Sequence, residues 1–82
     1  DLSHYHSHDE ARVLDSAAAA AIVALAPERL ASEQACGRAA IAGLLARCRE
    51  TGLTAQALRL ADSSEQGGPR DRVVGYGAFS VA

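Results

Sequence analysis

The first eight residues read with a period of two, and the chain then switches to a helical period. Leu2, His4, His6 and His8 fall on one side of an extended backbone and Ser3, Tyr5 and Ser7 on the other, the signature of a short strand. Ser7-His8-Asp9-Glu10 has the form of a capping box, a hydroxyl at the N-cap and a carboxylate three residues on. Asp9 and Glu10 also bring negative charge to a first turn, where the helix dipole favours it. The pattern predicts a helix from about Asp9 to Leu25. Leu14, Ala18, Ala21, Ile22 and Leu25 form its apolar stripe, with Val13, Ala17 and Ala24 beside it. The run Ala17 to Ala21 adds strong helix propensity and a slim surface.

Pro27 ends that helix or opens the next, because proline suits a first turn and not a helix interior. A second helix is predicted from about Glu28 or Ser32 to Thr51, with Gly37, Ile41, Leu44, Leu45 and Cys48 on its buried side. Arg47 and Arg49 fall in its last turns, and Gly52-Leu53 reads as a Schellman-type stop. Beyond it "QALRLAD" alternates, "SSEQGGPRD" is a dense turn cluster and "RVVGYGAFSV" alternates again. Two such runs around a Gly-Gly-Pro loop predict a hairpin. The alternative is a third short helix over 54–62, capped by Thr54, which makes the chain mainly α with a C-terminal strand. On the second run, Val73, Gly75, Gly77, Phe79 and Val81 share one face, and Val74, Tyr76, Ala78 and Ser80 share the other. Gly75 and Gly77 leave a hollow in which the alanine-rich helix nests. The expected fold is α+β: two antiparallel helices on a small antiparallel sheet, in the order β-α-α-β-β.

Composition limits what such a fold can hold. With 82 residues there is room for one small domain, which buries only roughly 60–65% of the surface of its unfolded chain. Much of the apolar content is alanine, so the core is expected to be thin, and self-association or docking is expected to supplement it. The net charge is −2 and all eight basic residues are arginine; that balance gives no basic patch for nucleic acid. Arginine without lysine, beside so much alanine, is a compositional mark of a GC-rich bacterial genome. A start at Asp1 and the absence of methionine suggest a processed product or a piece of a longer chain. No run reaches the ~20 apolar residues of a membrane span, and a cytoplasmic location is expected. Cys36 and Cys48, about 18 Å apart if one helix carries both, are expected to be reduced and partly buried.

Three features bear on chemistry. Alternate residues on a strand project about 6.8 Å apart from one face, so His4, His6 and His8 offer an H-x-H chelate for zinc. No Cys-x-x-Cys or second histidine cluster supplies further ligands. No serine or cysteine stands in a nucleophile motif, and the volume for a self-contained active site is small, so no catalytic residue or cofactor is assigned. Val74, Tyr76 and Ala78 are the candidate interaction surface, on a strand whose edge is expected to be free for pairing. The reading is a non-catalytic interaction or oligomerisation module, or an accessory regulatory domain, whose partner is another protein or a second copy. The alternatives are a metal-binding protein using the histidines, and a nucleic-acid binder using Arg38, Arg47, Arg49, Arg59, Arg70 and Arg72.

Overall fold

The computed structural model describes residues 1–31 and 37–82. Its elements are β1 (His4–His6), α1 (His8–Val23), α2 (Arg38–Thr51), β2 (Ala55–Asp62) and β3 (Val73–Val81), with 3-10 turns at Pro27–Arg29 and Ser63–Gln66. The fold is α+β, and the hairpin prevails over a third helix at 54–62. Ser7 caps α1 as its spelling implies. Its hydroxyl accepts from the Glu10 amide at 3.2 Å and donates to the Glu10 carboxylate at the same distance. Helix α1 closes in a Schellman motif two residues before the expected end, with bonds from Leu25 N–H to Ile22 O and from Ala26 N–H to Ala21 O. Leu25 takes the left-handed conformation usual for glycine there, held in place by its packing against the core.

Helix α2 begins at Arg38, later than expected, with Gly37 as its cap. Residues 32–36, including Cys36, lie outside the described part of the chain. The Arg38 guanidinium donates to Leu30 O at 2.8 Å, tying the start of α2 to the turn at Pro27–Arg29. At the other end Gly52 is left-handed and the Leu53 amide reaches Cys48 O, as the Gly-Leu stop implies. The register within α2 needs a correction. Leu45 and Cys48 are buried and Ile41 packs against the core, whereas Leu44 is 51% exposed. The buried arc is narrower than the expected stripe because α2 meets its neighbours along one line, chiefly at the Pro27–Arg29 turn.

The three strands are antiparallel in the order β1-β3-β2. Strand β3 pairs with β2 from Ala55↔Val81 to Asp62↔Gly75, and mutual bonds between Thr54 and Ala82 extend the ladder by one step. On its other side β3 pairs with β1 at Val73 and Val74, and Gly75 exchanges bonds with Leu2 and Ser3. Strand β3 is thus central, and the edge expected to be free along it is taken up by β1 at Val73, Val74 and Gly75; no described strand pairs with residues 76–81 on that side. Leu58 is the extra residue of a bulge between Ala57 and Arg59 and is left 61% exposed. Helix α1 covers one face of the sheet, and the core gathers beneath it from Leu2, Ala18, Ala21, Ile22, Leu30 and Leu45, with Phe79 against them.

Candidate functional site

The side chains with the most demanding environments lie where α1 passes β2. His8, Arg12, Asp15 and Ser16 occupy one side of α1, Arg12 four residues after His8 and the pair Asp15 and Ser16 three and four residues after Arg12. With Leu60, Ala61 and Asp62 of β2 and Glu65 of the following turn, they line a cleft of about 330 Å³. That volume stands at the lower end for ligand pockets, ~300–1,000 Å³, and it exceeds what the sequence led one to expect. A second hollow of about 410 Å³ lies beyond Asp62 and Glu65, lined also by Arg59, Gln66, Tyr76 and Ala78.

Asp62 anchors the inner wall. It is 4% exposed, and its carboxylate takes three contacts: the Ser64 amide at 2.9 Å and the Ser64 hydroxyl on one oxygen, and His8 Nδ1 at 2.6 Å on the other, while Ser64 Oγ also lies 3.4 Å from that Nδ1. Burial alone raises a carboxyl's pKa; here the hydrogen bonds from Ser64 and His8 outweigh it and hold Asp62 below its ordinary value. An ionised carboxylate only accepts, so His8 Nδ1 carries the proton in this pair. The serine sits on the carboxylate and on the same imidazole nitrogen. A nucleophilic triad needs the hydroxyl at the opposite ring nitrogen, so this trio does not activate Ser64. It is a clasp: Asp62 caps the 3-10 turn at Ser63–Gln66 and holds the first residue of α1 against the end of β2.

Because the folded value of Asp62 is depressed, its contribution to stability is complete above the ordinary aspartate value of about 3.9 and fades as pH falls through the lower folded value. The stability gap between the protein and its Asp62→Asn variant should therefore be widest near neutrality and narrow below about pH 4. Urea midpoints measured across that range check it; a gap that stays constant into acid would contradict the clasp.

Asp15 is the second buried carboxylate, 5% exposed. The Ser3 amide donates to its Oδ1 at 3.0 Å. Its other oxygen lies against Gly75, where a Cβ would come within 2.6 Å of the carboxyl carbon. The hollow at Gly75 is thus filled by α1, as the sequence implied, though by a carboxylate and not by alanine. Around Gly77 the neighbours are Phe79, Leu2 and Leu60. Ser3 Oγ is buried beside this contact without a hydrogen-bond partner among the described residues.

The three histidines part company. His4 meets the edge of the Tyr5 ring, His6 lies 3.5 Å from Glu10, and His8 is engaged with Asp62. Tyr5 has a φ of 64° and the β1 register slips between His4 and His6, so the even projection expected of a regular strand is lost. Among the described residues no three His, Cys, Asp or Glu side chains are grouped to hold a metal ion. The arginines disperse as well. Arg47, Arg49 and Arg59 lie within ion-pair distance of Glu50, Glu28 and Glu65, and Arg72 stacks over Tyr5. Val74, Tyr76 and Ala78 do share a face, the one opposite α1; Val74 is half-buried and the other two are exposed.

Asp15, Asp62 and Ser64 were not singled out from the sequence. Asp62-Ser63-Ser64 carries an Asx-turn signal. Asp15 carries only the oddity of an acid one position from an apolar stripe. No protein-family model matches the chain, and neither the curated proteins nor the solved structures give a significant match. No described helix is long and apolar enough to cross a membrane.

Proposed function

We propose that this chain is a non-catalytic association module whose outer sheet face pairs with a second copy of itself. The observation that carries this reading is the make-up of that face. Tyr76 stands 38% exposed among the small residues Ala61, Gly77 and Ala78, and the 410 Å³ hollow opens beside it. A further layer over this face buries the Tyr76 ring and the small residues beside it, with Arg59, Glu65 and Gln66 left as a polar rim. Ring and hollow lie on one patch, so a two-fold axis seats the ring of each copy in the hollow of the other. Charge fits the same operation, because Arg59 and Glu65 both rim the hollow and can exchange partners between copies. The thin core favours such burial, and a net charge of −2 opposes it little.

Sedimentation velocity over a wide range of concentration tests the proposal. A dimer should form, and the melting temperature should rise with concentration. Arg59→Glu should return the protein to monomer by setting like charges face to face, and adding Glu65→Arg should restore the dimer. A monomer at every concentration, or a dimer indifferent to Arg59→Glu, would refute it.

A further inference from the structure

Strand β3 leaves half of one edge uncovered. The Gly75 amide donates to Ser3 O at 2.8 Å and the Gly75 carbonyl accepts from Leu2 N–H at 2.7 Å, so both groups point toward β1. Backbone groups alternate sides along a strand, so the amides and carbonyls of Gly77, Phe79 and Val81 point the same way. The neighbours between them agree: the Val74 amide donates to Ser63 Oγ, and Ala82 exchanges bonds with Thr54, both on the β2 side. Among the described residues nothing bonds to the outward groups of Gly77, Phe79 and Val81. Over residues 76–81 no side chain is fully buried, and β2 with β3 forms a two-stranded ribbon, which is marginal in water until a third strand joins.

The two open edges of the sheet differ in kind. Strand β2 carries features that guard an edge, a bulge at Leu58 and the charge of Arg59. Strand β3 has neither charge nor proline from Val73 to Val81. We infer that this edge receives an extended segment of a partner protein, which adds antiparallel to β3 in line with β1. Strand β1 already pairs antiparallel with the same edge, so the incoming strand continues an existing ladder. Its side chains are specified at one position above all. The space that a Cβ at Gly77 would take is flanked by Phe79 and Leu2, so an apolar residue opposite Gly77 covers the glycine and packs between them. A charged residue there would be desolvated without a partner. Pairing with β3 of a second copy, centred on Phe79, would bring that copy's Ala82 up against Leu2, whereas a short segment ends where β1 begins.

Amide hydrogen exchange of the 15N-labelled protein, with and without the peptide acetyl-Lys-Thr-Val-Thr-Val-Thr-Lys-amide, tests this inference. Alone, the amides of Gly77, Phe79 and Val81 should exchange faster than those of Tyr76, Ala78 and Ser80, which bond to β2. The peptide should slow the first three saturably, at least about tenfold at the plateau. The same peptide with its interior amides N-methylated should not. Val81→Pro removes an edge-facing donor at an exposed strand end and should weaken peptide binding about tenfold. The N-methylated peptide keeps the test decisive without altering the protein if Val81→Pro folds poorly. Absence of saturable protection, equal protection by the N-methylated peptide, or full binding by a folded Val81→Pro chain would overturn it. So would edge amides already as protected as their neighbours without peptide, which would place a second copy there. Outer-face pairing is read separately, by sedimentation with Arg59→Glu, so the two proposals fail independently.

Discussion

Leu45→Ala is expected to lower the stability of the domain by about 2–4 kcal/mol, a large share of what a chain of this length possesses. Leu45 is fully buried and belongs to the cluster that joins Leu2, Ala18, Ala21, Ile22 and Leu30. Most of that cluster is alanine or comes from the ends of elements, so few side chains can shift to fill the vacated space, and the cavity term adds to the lost transfer energy. The neighbouring position supplies the contrast. Leu44 is half exposed, so Leu44→Asp should stay within about 0.5 kcal/mol of the parent, the usual range for surface changes, whereas Leu45→Asp should abolish folding by burying an unpaired charge. Urea unfolding followed by circular dichroism separates the two. A tolerant Leu45, or a Leu44→Asp chain that does not fold, would mean that α2 is rotated by one position.

That one-position ambiguity shows how far the sequence could be read. The capping box, the hairpin and the Gly52 stop were legible because each rests on local chemistry: a hydroxyl and a carboxylate at fixed spacing, strict alternation, and a residue without a Cβ. Helical rotation was harder, because Ala17 to Ala21 has nearly equal affinity for core and solvent on every side. The expected stripe of α1 holds at Ala18, Ala21, Ile22 and Leu25, but the buried arc extends to Ala11, Asp15 and Ala19, while Leu14 is only partly buried. Val13, which looked apolar enough to pack, is exposed. On β2 the bulge at Leu58 broke the alternation in a way that composition does not announce.

The site was less legible than the fold, and for a different reason. The conspicuous residues were histidines, drawn together by an alternation that Tyr5 interrupts. The residues that do meet are far apart in the chain. His8 and Asp62 are brought together only once β3 has paired with both β1 and β2, and Asp15 finds Gly75 only once α1 lies across the sheet. Three elements with thin apolar faces are thus pinned by two buried carboxylates, one at each crossing of α1 with a strand. In so small a core, polar contacts fix the relative placement of elements that alanine packing alone leaves loosely specified. The same carboxylates give the cleft its charge.

Gly75→Ala probes the second of those crossings and should cost about 2–3 kcal/mol, the upper part of the range for an added methyl in a packed site. The backbone is not the obstacle, since Gly75 is not among the glycines of positive φ. The obstacle is Asp15: a Cβ would meet its carboxyl carbon at 2.6 Å and Oδ1 at 2.8 Å, closer than van der Waals contact permits. The carboxylate cannot swing away without giving up the Ser3 amide and leaving that donor buried. Asp15→Ala alone should be destabilising by about 1–3 kcal/mol through the same orphaned amide. Yet in the Asp15→Ala background the added methyl at position 75 has space to occupy, so the two substitutions should be less harmful together than their sum. Chemical denaturation of the four proteins of this cycle measures the coupling. Strict additivity would mean that α1 does not press its carboxylate onto β3, and that the close approach of helix to sheet described here is wrong.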